Sequence, residues 1–67
     1  MERRASTRFV RSQRVNLRAG PSTDHAVVDV LKESTPVFLE RREGSWVLVR
    51  TVSGPAGWVH LSLLAPH

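Results

Sequence analysis

Hydrolytic chemistry needs a nucleophile, a base within hydrogen-bond reach and a third group that orients the base. The 67-residue chain has no cysteine and three imidazoles, His25, His60 and His67. A serine, histidine and carboxylate occur together only in the run Ser22-Thr23-Asp24-His25. There the acid and the base are chain neighbours on a loop, which gives little preorganisation, so no catalytic residue is expected. A metal site needs three or four converging ligands, and Asp24, His25 and His60 are not spaced to supply them, so neither a metal nor a cofactor is expected. Glu40 and Glu43 flank Arg41 and Arg42 and read as a solvated turn of mixed charge. Gly54-Pro55-Ala56-Gly57 contains a proline without a backbone donor and precedes no helix, so it is a turn and not a phosphate cradle.

The remaining chemistry is that of reversible contact. The aromatic side chains are Phe9, Phe38, Trp46 and Trp58, with no tyrosine. Trp58 follows Gly57 in a closing strand and is expected to fill a barrel end, whereas Trp46 is open to two roles, contact with a ligand or with the leading strand. The candidate binding residues are Arg18, Ser22, Thr23, Asp24, His25 and Trp46. Asn16 is expected to bond the Gly20-Pro21 loop backbone, a role that Arg18 shares with ligand contact.

Elements that position these residues follow from alternation of apolar and polar side chains over short runs closed by Gly, Pro, Ser or Asn. Val15 and Leu17 alternate with Arg14, Asn16 and Arg18, a half-buried strand that stops at Gly20-Pro21. Further strands are expected over 26–31 and 37–40. A hairpin loop over 42–44 sets Val37 opposite Val49, Leu39 opposite Val47, Phe38 opposite Leu48 and Glu40 opposite Trp46, with Gly44 in the left-handed conformation. Val37, Leu39, Val47 and Val49 then face the core. Phe38, Leu48 and Trp46 form an apolar strip on the other side, which the segment around Phe9 and Val10 is expected to cover. Residues 61–64 suit a single 3₁₀ turn. The fold class is therefore all-β: a small closed or half-closed barrel of five to six short antiparallel strands with a C-terminal 3₁₀ turn.

Composition sets the limits. At 67 residues with 40% hydrophobic content, the chain holds one core and no disulfide framework. The net charge of +4 is uneven. Residues 1–18 carry six arginines against Glu2, while the remainder has four basic and five acidic residues. Residues 1–8 read as a basic arm or linker, 9–64 as the domain and 65–67 as a tail. The opening residues lack the apolar run of a secretory signal, and charged residues interrupt every hydrophobic stretch, so no membrane span is expected.

Arg14-Val15-Asn16-Leu17-Arg18-Ala19-Gly20-Pro21-Ser22-Thr23 resembles the opening signature of bacterial Src-homology-3 (SH3) domains. The resemblance continues through Val27 to Leu31, through Gly44-Ser45-Trp46-Val47-Leu48-Val49-Arg50, and through Gly57-Trp58-Val59 to Leu64. It covers roughly residues 9–64 and makes Val15, Leu17, Gly20, Val37, Leu39, Gly44, Val47, Val49, Gly57 and Trp58 structural. The chain departs from the family at Glu33-Ser34, where a Lys-Gly pair is usual, and at Pro36, which fits an edge or the start of a strand. Without tyrosine, the aromatic groove that holds proline-rich ligands in eukaryotic relatives is not expected.

What the resemblance implies is a non-catalytic binding or targeting module, part of a larger envelope protein, that recognises peptidoglycan or a protein partner. The sequence itself does not reveal a compartment; a periplasmic or extracellular setting is the family's. The module is expected to be a monomer or weak dimer. Two other readings are single-stranded nucleic-acid binding through the Arg-rich arm, which is disfavoured, and self-association through Phe38 and Leu48.

Overall fold

The computed structural model describes residues 7–52 and 54–65. Most of the expected arm, residues 1–6, and the last two tail residues lie outside the described residues. The strands are β1 (Thr7–Val10), β2 (Arg14–Arg18), β3 (Val27–Lys32), β4 (Pro36–Glu43), β5 (Trp46–Thr51), β6 (Ala56–His60) and β7 (Leu64–Ala65), with a 3₁₀ turn at Leu61–Leu63 between β6 and β7. They form one antiparallel sheet in the order β3-β2-β6-β5-β4-β1-β7. The all-β, SH3-like architecture is as expected, with the two-residue β7 as an added strand.

Alternation along the strands builds the core. Val15 and Leu17 on β2, Val47 and Val49 on β5, and Val59 on β6 turn inward to meet Val10, Leu31, Val37 and Leu64. Leu39 is half-buried and packs against this cluster. Full burial of such a side chain stabilises by roughly 1.5–3 kcal/mol. These residues therefore carry the fold in place of cross-links.

The leading segment does not lie over Phe38 and Leu48 as expected. Instead β1 adds to the sheet edge, pairing Thr7, Arg8 and Phe9 with Phe38, Val37 and Pro36, and pairing Phe9 and Val10 with Ala65 and Leu64. Val10 thereby enters the core at 2% exposure. Sheet pairing runs from Thr7 to Ala65, two residues ahead of the expected domain start and one past its end. Pro36 is the first residue of β4, a position that needs no interior ladder donor. Phe38 and Leu48 are half-buried. Among the described residues, the large apolar side chains left exposed are Val27, Val28 and Val30 on β3, together with Val52.

The expected hairpin register is also corrected. Val37 pairs with Thr51 and Leu39 with Val49, and a bulge then brings Arg41 opposite Leu48 and Glu43 opposite Trp46. The loop is the two residues Gly44-Ser45. Gly44 has φ 61°, the left-handed conformation a two-residue hairpin needs at its first central position when the second has negative φ. The inward set survives because the error is two residues, which preserves side-chain parity.

Ser34 stands where the family usually has glycine, and it adopts φ 70°. A left-handed non-glycine residue costs about 1–2 kcal/mol. The turn is held by Ser34 N–H donating to the Val10 carbonyl at 2.7 Å and by Thr35 Oγ1 donating to the Lys32 carbonyl at 2.6 Å.

Candidate functional site

Strands β2 and β6 pair at one position, Arg18 with Trp58. Their close approach there depends on Gly57. A Cβ on it would stand 2.5 Å from Leu17 Cγ and 2.9 Å from the Arg18 carbonyl oxygen. Away from this point the chain leaves β6 for the 3₁₀ turn, and a surface groove of about 480 Å³ opens between the turn and β2. Arg14, Asn16 and Arg18 project from alternate positions of β2 along one wall. His60, Ser62 and Leu63 form the other wall, Trp46 joins from β5, and Thr23 closes one end.

Both tryptophans differ from expectation. Trp58 is half-buried beside Leu48 and Arg18, because the inward positions of β6 belong to Gly57 and Val59; it does not fill the barrel interior. Trp46 is opposite Glu43 and His60 and not opposite Glu40, as the bulge requires. The Trp46 and His60 rings meet edge to face, with centroids 5.5 Å apart and planes at 81°, an arrangement that aromatic quadrupoles favour.

His60 is fixed from its other side. Its Nδ1 accepts the Ser62 backbone N–H at 3.2 Å, capping the 3₁₀ turn, and lies 2.8 Å from Ser62 Oγ. Accepting at Nδ1 places the proton of the neutral imidazole on Nε2. His60 is therefore both a cap and a donor-bearing wall of the groove.

Arg18 organises the loop beside the groove. Its Nη1 donates to the Thr23 carbonyl at 3.2 Å and to the His25 carbonyl at 3.0 Å. This is the backbone-holding role that was expected of Asn16, which instead stands exposed along the groove wall. Ser22 Oγ lies 3.1 Å from His25 Nδ1 and accepts the Asp24 backbone N–H at 3.1 Å. The His25 ring lies over Gly20, where a Cβ would come within 2.4 Å of it. Asp24 thus enters the network through its backbone, and among the described residues its carboxylate orients neither imidazole.

Of the six candidates, the structure brings Arg18, Thr23 and Trp46 together in the groove. Ser22, Asp24 and His25 form the supporting loop and do not line it. Arg14, Val15, Asn16, His60, Ser62 and Leu63 also line the groove and are not among the candidates. Parity carried the signal for His60: with Gly57 and Val59 inward on β6, His60 must face outward.

Charge is distributed unevenly. Arg50 pairs with Glu40 through Nε at 2.8 Å, and Arg41 pairs with Glu43 at 3.3 Å. The hydrogen bond to Glu40, reinforced by its charge, raises the Arg50 pKa. Among the described residues, Arg14 and Arg18 have no carboxylate within ion-pair distance, and no three His, Asp or Glu side chains converge as metal ligands. No helix in this set is long and apolar enough to cross a membrane, a statement that does not extend to β-barrels.

A small antiparallel barrel that leaves one polar and aromatic groove open has the build of a recognition domain. The family model of the bacterial SH3 domain matches residues 13–65, and the chain belongs to that family, whose members are generally binding domains and not enzymes. No curated protein matches the chain.

Proposed function

We propose that this domain is a targeting module that holds a larger envelope protein on peptidoglycan, or on a peptide of a protein partner, through the groove between β2 and the 3₁₀ turn. The observation that carries this reading is the packing of Trp46 against His60 beside Arg14 and Arg18. That wall offers a flat apolar face next to several hydrogen-bond donors, which suits a peptide or an amino-sugar chain. An open groove of this size gives weak binding by itself. Tethering beside a second domain raises its effective concentration and makes weak binding sufficient.

Co-sedimentation with purified peptidoglycan tests the reading. Wild type should pellet with the polymer, and Trp46→Ala should lose on the order of tenfold in retention, consistent with removal of one aromatic anchor. A thermal melt checks that the variant is folded. Equal retention of the two folded proteins would end the assignment of this groove to cell-wall binding.

A further inference from the structure

We infer that the groove selects ligands that carry a carboxylate, and that Arg18, assisted by Arg14, is the receptor for it. This inference rests on the groove being the binding site and specifies the chemistry of what enters. None of the nine described residues that line the groove is acidic. Arg14, Asn16, Arg18 and His60, whose side chains all carry N–H donors, line the same space. On the opposite side of the sheet order, Arg41 and Arg50 each have a glutamate partner. Among the described residues the two groove arginines thus have no carboxylate to neutralise them, unlike Arg41 and Arg50.

Arg18 is also held in advance. The carbonyls of Thr23 and His25 accept two bonds from Nη1 and fix the guanidinium plane without neutralising its charge. Guanidinium has five N–H donors, so donors remain for an incoming carboxylate, which it matches in geometry. Little side-chain entropy is left to lose on binding, which favours affinity. Arg14 and Arg18 lie four residues apart on one strand, about 13 Å between Cα atoms at the usual rise. Side chains of that length can converge on one carboxylate or hold two along an extended ligand. The apolar floor from Val15 and Leu63, with Trp46, takes the uncharged part of a peptide, which a bare polyphosphate would leave unused.

Titration of the full chain with two soluble muropeptides, one with free stem carboxylates and one with them converted to carboxamides, tests the inference by NMR shifts of the Trp46 indole N–H. The free form should bind on the order of tenfold more tightly, the size expected for a charge-assisted hydrogen bond. Arg18→Gln should bind the free and the amidated forms with equal affinity, so that the preference is lost whatever the change in overall affinity. Arg14→Gln, which breaks no loop bond, should produce the same effect at smaller size. If the two muropeptides bind equally while the indole signal still moves, carboxylate selection is overturned and the groove stands. If neither moves the indole signal, the groove reading itself fails and the inference falls with it.

Discussion

The two flanks of the sheet use the same residue types to opposite ends. On one flank β4 is paired on both sides, by β1 and by β5, and Arg41 and Arg50 there close onto glutamates of the same chain. On the other flank β2 meets β6 at a single position, and Arg14 and Arg18 project into the resulting gap with no carboxylate partner among the described residues. The first flank satisfies itself and serves stability. The second is left incomplete at a place where backbone pairing stops, and that is where an outside group can be bound.

The largest expected effect falls on the self-satisfied flank. Deleting residues 1–10 removes β1, exposes the edge of β4, and takes from the core Val10, which is 2% exposed. It also removes the carbonyl that accepts the Ser34 N–H and the N–H that reaches the Thr35 carbonyl. The family match starts at residue 13 and leaves this strand out. Burial of Val10 alone is worth roughly 1.5–3 kcal/mol, against a total of about 3–5 kcal/mol for a domain of this size. The shortened chain should therefore lose its cooperative thermal transition by circular dichroism. A transition within a few degrees of the full chain would show that β1 is an accessory and that the comparison misplaces the domain's strength.

Next in size are two glycine substitutions, one on each flank. Gly57→Ala drives a methyl group into Leu17 and the Arg18 carbonyl, and overpacking of this kind costs about 1–3 kcal/mol. The melting temperature should fall by roughly 4–8 °C per kcal/mol, and peptidoglycan retention should fall with it, because the displaced contact sets the groove. Gly44→Ala meets open space but keeps φ 61°, so its cost is the left-handed strain of about 1–2 kcal/mol. It should lower the melting temperature and leave retention unchanged. Loss of binding in both folded variants would mean that retention merely tracks stability.

The contrast between flanks also explains what the sequence reveals. Strand identities and most of the core are legible because Arg14 to Arg18 alternates strictly and β-branched residues recur at every second position of Trp46 to Thr51, and the 3₁₀ turn follows from a leucine-rich run too short for an α-helix. The register of β4 against β5 is not legible, since the extra residue at Glu40 is a bulge with no glycine to announce it. The place of β1 depends on Val10 meeting Leu64, a contact between opposite ends of the chain that no local pattern encodes. In the site, Arg18, Thr23 and Trp46 could be chosen by type and exposure. His60 and Arg14 join them only because β6 and β2 part beyond Trp58, which is a property of three-dimensional pairing.

The smallest effect should come from Arg50→Gln, the paired counterpart of the groove arginines. Its side chain is solvent-exposed, its bonds to Glu40 are on the surface, and exposed pairs of this kind contribute little. The pairing raises the Arg50 pKa above its ordinary value, chiefly through the Glu40 hydrogen bond. A raised folded pKa on a basic group means that its contribution is fully present below the unfolded value and is lost only as pH climbs through the folded one. That window lies in strong alkali, so the substitution should change neither the melting temperature between pH 6 and 9, roughly the range where such groups stay charged, nor retention on peptidoglycan. Arg18→Gln, with the same change in formal charge, should abolish carboxylate preference under the same conditions. If Arg50→Gln weakens binding as much as Arg18→Gln does, net charge and not the position of the unpaired guanidinium governs attachment, and the distinction between the flanks dissolves.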